Sequence, residues 1–592
     1  MQKSHWVISF FLLFVFQAQA TQVSDGDEQL RQQSREKAQR EFLESKPDVR
    51  FPYQAPSETP TSSDLILVQE SPCFTINQIA LIGDAAERFQ WALKAVNLNE
   101  ANGKLDPALG QCLGINAVNV VMKRVQNAIM ARGFITTRVL AAPQDLKAGT
   151  LTLTLIPGRI HAIHFDTGVS RRATVWNAMP AKVGDILNLR DIEQALENFK
   201  RVPTAEADIQ ITPAEADDHP QNNGVKSDGN TTFNKPGLSD LVITWKQRLP
   251  PFRISTSMDD GGNKSTGKYQ GSLTLSADDV LMLNDLFYVT GNHNLGFIND
   301  DAQGEHGTKG YAVHYSVPYG YWLLSFNTSE NNYYQSVAGL NQTYRYSGES
   351  QNTDLKLSRI VWRNAVSKTT VGFKAWFRSS NNYIDDTEVQ VQRRRMGGWQ
   401  MDVNERYFLG DATIDGNLSY KQGTGAFGAL PAPEEGFNEG TSRPRIVNAD
   451  LSLNLPFHIK TQALRYNANF RGQWNDTPLV PQDRFAIGGR YTVRGFDGQS
   501  LLSADRGWLI RNDLSLSIGD TGQELYLGVD AGEVSGQSAV RLTGTSLAGT
   551  VAGIRGSFKG LSYDVFIGTP LSKPQGFQTP KTSAGFSFVW SY

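Results

Sequence analysis

From Phe252 onward, apolar and polar residues alternate in segments of about ten residues, separated by clusters of Gly, Asn, Asp and Ser and without a helical period. That is the pattern of antiparallel strands with one apolar and one polar face. Seventeen candidate strands begin near residues 252, 269, 286, 310, 321, 340, 355, 369, 396, 412, 444, 462, 507, 523, 546, 561 and 583. Strands of this kind suit a transmembrane antiparallel β-barrel, whose outside meets lipid and whose inside is wet. A single-chain barrel with its amino-terminal domains and its last residue on the same side needs an even number of strands. Residues 340–350, which alternate least, are therefore assigned to an ordered loop, and the expectation is sixteen strands within 249–592. The last strand places Phe586, Phe588, Trp590 and Tyr592 on one face, as expected of the strand that closes and inserts such a barrel.

Ahead of the barrel the period changes. Residues 73–158 predict a strand Phe74–Leu81, a helix Phe89–Ala95, a helix Ala117–Arg132, and strands Phe134–Leu140 and Thr150–Ile156. In the second helix Val118, Val121, Met122, Val125 and Ile129 form one apolar face, and Gly133 stops it. The order repeats in 159–248: strand Ile160–Phe165, helices Thr174–Met179 and Leu189–Lys200, and strands Asp208–Ile211 and Leu241–Trp245. The second copy carries an insert, Ala214–Gly237, rich in Asp, Asn, Gly and Pro, which reads as a surface loop.

Residues 21–46 predict a helix that is polar nearly all round, with Ser24 and Asp25 available to cap it and, after the cap, only Leu30, Ala38, Phe42 and Leu43 apolar. Such a helix needs a polar container or does not form. Residues 47–72 hold five prolines and read as an extended linker, long enough to span about 80 Å. Before them, Lys3, an apolar run from Trp6 to Phe16 and Ala18-Gln-Ala20 predict that residues 1–20 are a cleaved export signal.

Charge adds exclusions. The 57 basic and 59 acidic side chains nearly cancel, and no basic block points to nucleic acid. Beyond residue 20 no apolar stretch approaches the roughly 20 residues of a membrane-crossing helix, a test that barrels escape. The only two cysteines, Cys73 and Cys112, sit in the part that would meet an oxidising compartment and are expected to pair; the alternative is two unrelated buried thiols. No catalytic residues, cofactor or metal site are expected. Gly262-Asn-Lys-Ser-Thr-Gly267-Lys268 approaches a phosphate-binding loop but continues with Tyr269 inside a β-hairpin, so it reads as a turn. His161 and His164 would point to opposite faces of a strand. Arg393-Arg394-Arg395 carries no function by itself.

Four segments carry a resemblance: Gly133-Phe-Ile-Thr-Thr-Arg138, Gly149-Thr-Leu-Thr-Leu-Thr-Leu-Ile-Pro-Gly158, Asn188-Leu-Arg-Asp-Ile-Glu-Gln-Ala-Leu-Glu-Asn-Phe-Lys-Arg-Val-Pro203 and Val493-Arg-Gly-Phe496. With them the whole chain resembles the outer-membrane transporters of two-partner secretion (TpsB family, Omp85 superfamily), in particular those for haemolysins, adhesins and contact-dependent inhibition. The resemblance implies a plug helix (21–46), a linker (47–72), two periplasmic α+β POTRA domains (73–158 and 159–248) and a sixteen-stranded outer-membrane barrel in a Gram-negative bacterium. It implies that the loop 475–506 folds into the lumen and that its motif, Val493, Arg494, Gly495 and Phe496, anchors the arginine to an aspartate of the wall. Period-two geometry on Leu525–Asp530 sends Leu525, Leu527 and Val529 outward and Tyr526, Gly528 and Asp530 inward, which makes Asp530 the expected partner. The implied function is ATP-independent export of a cognate secreted TpsA-type exoprotein. The other partners implied are outer-membrane lipid and, during insertion, the barrel-assembly machinery, with the transporter monomeric. An assembly factor of the Omp85 type is the alternative, and the two POTRA modules are fewer than such factors typically carry.

Overall fold

The computed structural model describes residues 25–44, 47–51, 67, 69–97, 106–167, 172–214, 237–296, 298 and 304–592. The expected export signal, the cap Ser24, most of the linker and most of the insert 214–237 lie outside them.

Two small modules precede the barrel. In the first, β1 (Gln78–Gly83) runs parallel to β3 (Thr150–Ile156), and β2 (Arg138–Leu140) pairs antiparallel on the other side of β3. Leu151, Leu153 and Leu155 turn to one face, where α2 (Ile115–Ala131) and a 3-10 helix (Ala86–Asn97) cover them with Val121, Val125, Ile129 and Phe89. The expected strand Phe74–Leu81 is interrupted, because the amides of Asn77 and Gln78 both turn to the Gly149 carbonyl, at 2.7 and 3.1 Å. The expected strand Phe134–Leu140 keeps only its last three residues. Phe134 is drawn onto the core edge-on to Phe89, with ring centroids 4.9 Å apart, and a turn from Thr137 N–H to the Phe134 carbonyl follows. A disulfide joins Cys73 to Cys112, with Cα atoms 5.2 Å apart, beside a two-stranded ribbon of Phe74–Thr75 and Cys112–Leu113.

The second module repeats the arrangement with β4 (Arg159–Phe165), α3 (Leu189–Lys200), β5 (Ala205–Pro213) and β6 (Leu238–Gln247) in the sheet order β4–β6–β5. Its core gathers Leu196 and Phe199 of the helix against Leu241, Ile243 and Trp245. It rests on turns at one end of the barrel. Asn198 donates to the Gly320 carbonyl at 2.8 Å, and Tyr321 donates to the Asp191 carboxylate at 2.6 Å.

The barrel strands are β7 (Phe252–Asp259), β8 (Gln270–Asp278), β9 (Leu286–Asn294), β10 (His306–Tyr319), β11 (Trp322–Ala338), β12 (Thr343–Arg363), β13 (Ser367–Ile384) and β14 (Arg394–Leu409). They continue with β15 (Ala412–Thr424), β16 (Arg445–Ile459), β17 (Gln462–Asn475), β18 (Arg506–Ser517), β19 (Gln523–Ser535), β20 (Ser546–Phe558), β21 (Leu561–Ser572) and β22 (Ser583–Ser591). All neighbours pair antiparallel, a two-residue piece (Thr387–Glu388) adds to the end of β13, and β22 closes on β7.

The strand number is sixteen, but residues 340–350 do not form the expected loop. From Thr343 they begin β12, a strand of 21 residues whose register with β11 runs unbroken from Ala338↔Thr343 to Trp322↔Arg359, so the candidates at 340 and 355 are one strand. At about 3.4 Å per residue such a strand is far longer than the roughly 30 Å hydrocarbon layer. Its first residues project beyond lipid, where neither face needs to be apolar, and the alternation fades.

Within the membrane span the alternation is plain. Leu525, Leu527 and Val529 are 47%, 66% and 52% exposed on the outside, while Tyr526 and Asp530 are buried inside. Phe586, Phe588, Trp590 and Tyr592 share the outer face of the closing strand and its end, the first two with rings tilted at 5.4 Å and the last two stacked at 6.3 Å. Gly262–Lys268 lies in the turn between β7 and β8. His161 binds Asp240 at 2.9 Å. Arg393 and Arg394 pair with Glu388 and Glu434.

Candidate functional site in the barrel lumen

Helix α1 (Asp25–Leu43) lies inside the barrel. Its polar surface meets the polar inner face of the wall almost wholly through side chains. Gln32 donates to Asn331 at 2.7 Å, Arg35 to Gln270 at 3.0 Å and Gln39 to Ser272 at 3.0 Å, while Glu36 accepts from Asn331 and Ser329 at 2.6 and 3.1 Å. Glu28 accepts from Thr266 at 3.1 Å. Leu43 joins an apolar contact with the wall, beside Leu286 and Tyr288. Hydrogen bonds of this kind, several of them to one ionised partner, add about 1–3 kcal/mol each and exchange with water, so the helix is held chiefly by polar contacts.

The loop 476–505 enters from the end opposite the modules. It forms a small hairpin of Phe485–Ile487 with Leu502–Ala504 and buries Ile487, Val493 and Phe496 against Leu509, Val534, Leu547 and Phe577. This apolar wedge fixes the direction in which Arg494 leaves the loop. Arg494 Nε donates to Asp530 Oδ2 at 2.7 Å and Nη2 to Asp530 Oδ1 at 2.8 Å, a two-pronged bond, and the Arg494 backbone N–H adds a third contact to Oδ2 at 3.0 Å.

A second carboxylate, missed in the sequence, faces the same guanidinium: Asp513 accepts from Nη2 at 2.5 Å. Asp513 stands on β18 in line with Leu509, Arg511 and Ser515, the inward set, so the charged stretch Arg511-Asn512-Asp513 in mid-strand was the available signal. Arg555 donates to Asp513 at 3.3 Å, and Arg511 lies 3.8 Å from Asp530, so the two carboxylates are balanced by more than one cation. Removing one member of such a buried set leaves uncompensated charge, at a cost of about 3–5 kcal/mol.

The wall is shaved to admit the loop backbone. A Cβ on Gly549 would stand 2.0 Å from the Arg494 carbonyl, and one on Gly528 would stand 2.8 Å from Arg494 Nη2. Gly495 has φ +97°, which a residue with a side chain adopts only with strain.

Two more anchors hold the loop, neither of them foreseen. On the opposite wall Arg378 donates to Asp483 at 2.7 Å and Lys421 at 2.8 Å. At the barrel seam Arg490 donates to Asp260 at 2.6 Å and to the Phe586 carbonyl of the last strand, while Asp260 accepts from the Phe586 N–H at 3.0 Å. Helix and loop touch, since a Cβ on Gly26 would lie 2.5 Å from Pro481 Cβ. A cavity of about 570 Å³ remains between α1 (Ser34, Lys37), the loop (Arg484, Arg490) and the wall (Lys374, Arg471). Among the described residues no cluster of His, Cys, Asp and Glu is arranged to hold a metal ion.

Residues 237–556 match the family described as haemolysin secretion/activation protein ShlB/FhaC/HecB. The chain belongs to that family. Residues 74–158 and 159–213 match POTRA domains, the first of the ShlB type; the first match coincides with the first module and the second covers the second module up to the end of β5. Over 586 residues the chain is 36% identical to the outer membrane transporter CdiB-2 of Burkholderia pseudomallei, covering 97% of this chain and 95% of the relative. It is 28% identical to the outer membrane transporter CdiB of Dickeya dadantii, covering 90% and 89%. The solved structure of CdiB from Acinetobacter baumannii superposes with a TM-score of 0.80 at 30% identity, covering 96% of this chain and all of that one. As a ShlB/FhaC/HecB-family protein of the Omp85 superfamily, the chain is an outer-membrane transporter of two-partner secretion with its POTRA domains in the periplasm. The modules therefore mark the periplasmic end of the barrel, and the loop 476–505 enters from the cell surface.

Proposed function

We propose that this transporter captures one large unfolded, β-helix-forming exoprotein, a toxin, haemolysin or adhesin, with its POTRA domains and passes it through the barrel without ATP. The observation that carries the reading is a wide polar lumen filled by a helix held through small polar contacts, a filling that can be removed and replaced. The sheets of both modules end in edge strands, β1 and β2 in one and β4 and β5 in the other, and beyond the stretches already bonded, Val139 to Gln126 and Arg159–Ile160 to Asp185–Ile186, an extended client can add to such an edge through main-chain hydrogen bonds. Loop 476–505, pinned by Arg494 to Asp530 and Asp513, acts as a latch that sets the lumen's width. Direction comes from folding outside, since a β-helix formed beyond the membrane cannot slide back. The transporter works as a monomer, placed in lipid by the barrel-assembly machinery through its aromatic last strand.

Deleting residues 73–245 tests capture. The deleted transporter should still give a folded barrel and should secrete none of its exoprotein; undiminished secretion would refute capture by the modules.

A further inference from the structure

Directly after α1, residues 48–51 do not hang free in the periplasm. They are wedged between α3 of the second POTRA domain and the periplasmic ends of the barrel strands: Asp48 pairs with Arg406 and, at 3.4 Å, with Lys368, Arg50 lies over the Phe408 ring at 3.9 Å, and Val49 and Phe51 are held by their backbone. The Val49 N–H donates to Glu197 Oε1 at 3.3 Å, and the Val49 carbonyl accepts from Arg363 Nη2 at 2.8 Å. Two residues on, the Phe51 N–H donates to Glu193 Oε1 at 2.8 Å and the Phe51 carbonyl accepts from Arg190 Nη2 at 3.4 Å. The side chains of Val49 and Phe51 pack on the core of the domain.

The four groups that read this backbone are pre-set. Arg363 donates Nε to Glu193 at 3.1 Å and Nη2 to Glu197 at 2.9 Å, Arg190 donates to Glu193 at 3.0 Å, and Lys368 donates to Glu197 at 3.1 Å. All four are nearly removed from solvent. A buried set of two carboxylates and two guanidiniums that spends its bonds on N–H and C=O groups at i and i+2 recognises an extended strand of almost any sequence, provided bulky apolar residues stand at those two positions.

We propose that this groove is a binding site for an extended segment of the secreted exoprotein at the mouth of the lumen, occupied in the resting transporter by the chain's own Val49–Phe51. The inference rests on the reading of α1 as a removable filling. Leu43 and Asp48 are five positions apart, a tether of at most about 18 Å, whereas the 19-residue helix is about 28 Å long. While residues 48–51 stay in the groove, the carboxyl end of α1 stays within about 18 Å of it, at the mouth of the lumen, and it can leave that mouth only when they come out. Emptying the lumen and exposing the groove are then one event, and the vacant groove holds the client's chain extended where it must enter.

The test uses the mature transporter in detergent, intact and lacking residues 21–51, with fluorescent peptides as probes. One peptide copies residues 47–52, Pro-Asp-Val-Arg-Phe-Pro, and another is Ser-Asp-Ile-Arg-Leu-Thr, which keeps the two charged positions and changes the rest. The deleted transporter should bind both within about threefold of each other, and the intact one at least tenfold more weakly. Methylating the amide nitrogens of the third and fifth peptide residues, or replacing Glu193 and Glu197 together by Gln, should weaken binding at least tenfold. Should the deleted form fail to fold, the intact chain with Val49→Ala and Phe51→Ala, which loosens its own occupant, should bind the peptides more tightly than the unaltered chain does. Binding of the first peptide alone, indifference to methylation, or no peptide binding to any opened form would overturn the proposal. No exoprotein enters this assay, so such a failure leaves the export reading intact.

Discussion

The guanidinium of Arg494 meets two carboxylates and a shaved wall, and each makes a separate demand. Arg494→Ala leaves Asp530 and Asp513 facing each other without their main counter-charge, a local loss of about 3–5 kcal/mol that should free the loop while the barrel still inserts. Secretion should stop, and the variant should keep heat-modifiable migration on a gel; full secretion would refute the latch. Arg494→Lys should not rescue it, because an ammonium cannot make the two-pronged bond. Gly549→Ala should behave like Arg494→Ala, since its methyl falls on the Arg494 carbonyl, whereas Gly416→Ala, with its nearest neighbour atom at 3.8 Å, should secrete normally. The inward turn of Asp530 was legible from the alternation of Leu525–Asp530. Asp513 was missed although Leu509, Arg511, Asp513 and Ser515 keep one period, because Asn512 puts a polar residue on the outer face beside them.

The elements around the junction titrate. Asp279, in the periplasmic turn after β8, is buried against the second POTRA domain, and burial pushes its pKa up to about 6 against the pull of the Asn284 N–H and of Arg172. A carboxyl whose pKa rises on folding favours the folded, docked state most at low pH, below its ordinary value of 3.8, and that contribution is lost as pH rises through 6. The thermal midpoint of the natural protein should therefore gain more on acidification from pH 7 to pH 5 than that of Asp279→Asn; equal gains would contradict this. In the first domain the disulfide closes a span of 39 residues, so reduction should cost about 4 kcal/mol and lower that domain's melting temperature ahead of the barrel's. Both POTRA domains were legible as a repeat, because their helices show one apolar face and their strands alternate. The shortened strands of the first were not, because a turn at Gly149 and the pull of Phe134 onto Phe89 decide the ends through tertiary contacts.

At the scale of the whole molecule, the barrel was written in period two, and the one misreading came where β12 leaves the lipid and the period no longer matters. The lumen's filling was legible only as a polar helix in search of a container. Its fastening was not, because Gln32, Arg35 and Gln39 meet partners more than 230 positions away along the chain. The clasp at Val49–Phe51 was hidden for another reason: its bonds are to backbone, which leaves little mark on sequence. The account's central claim is that export runs through the space α1 occupies. It is tested most directly by replacing Gln39 and Ser272, hydrogen-bonded at 3.0 Å, with cysteines and joining them in living cells with a short bis-maleimide. The joined transporter should secrete no exoprotein while each single-cysteine variant, treated alike, secretes normally; normal secretion with the helix fixed to the wall would contradict the account.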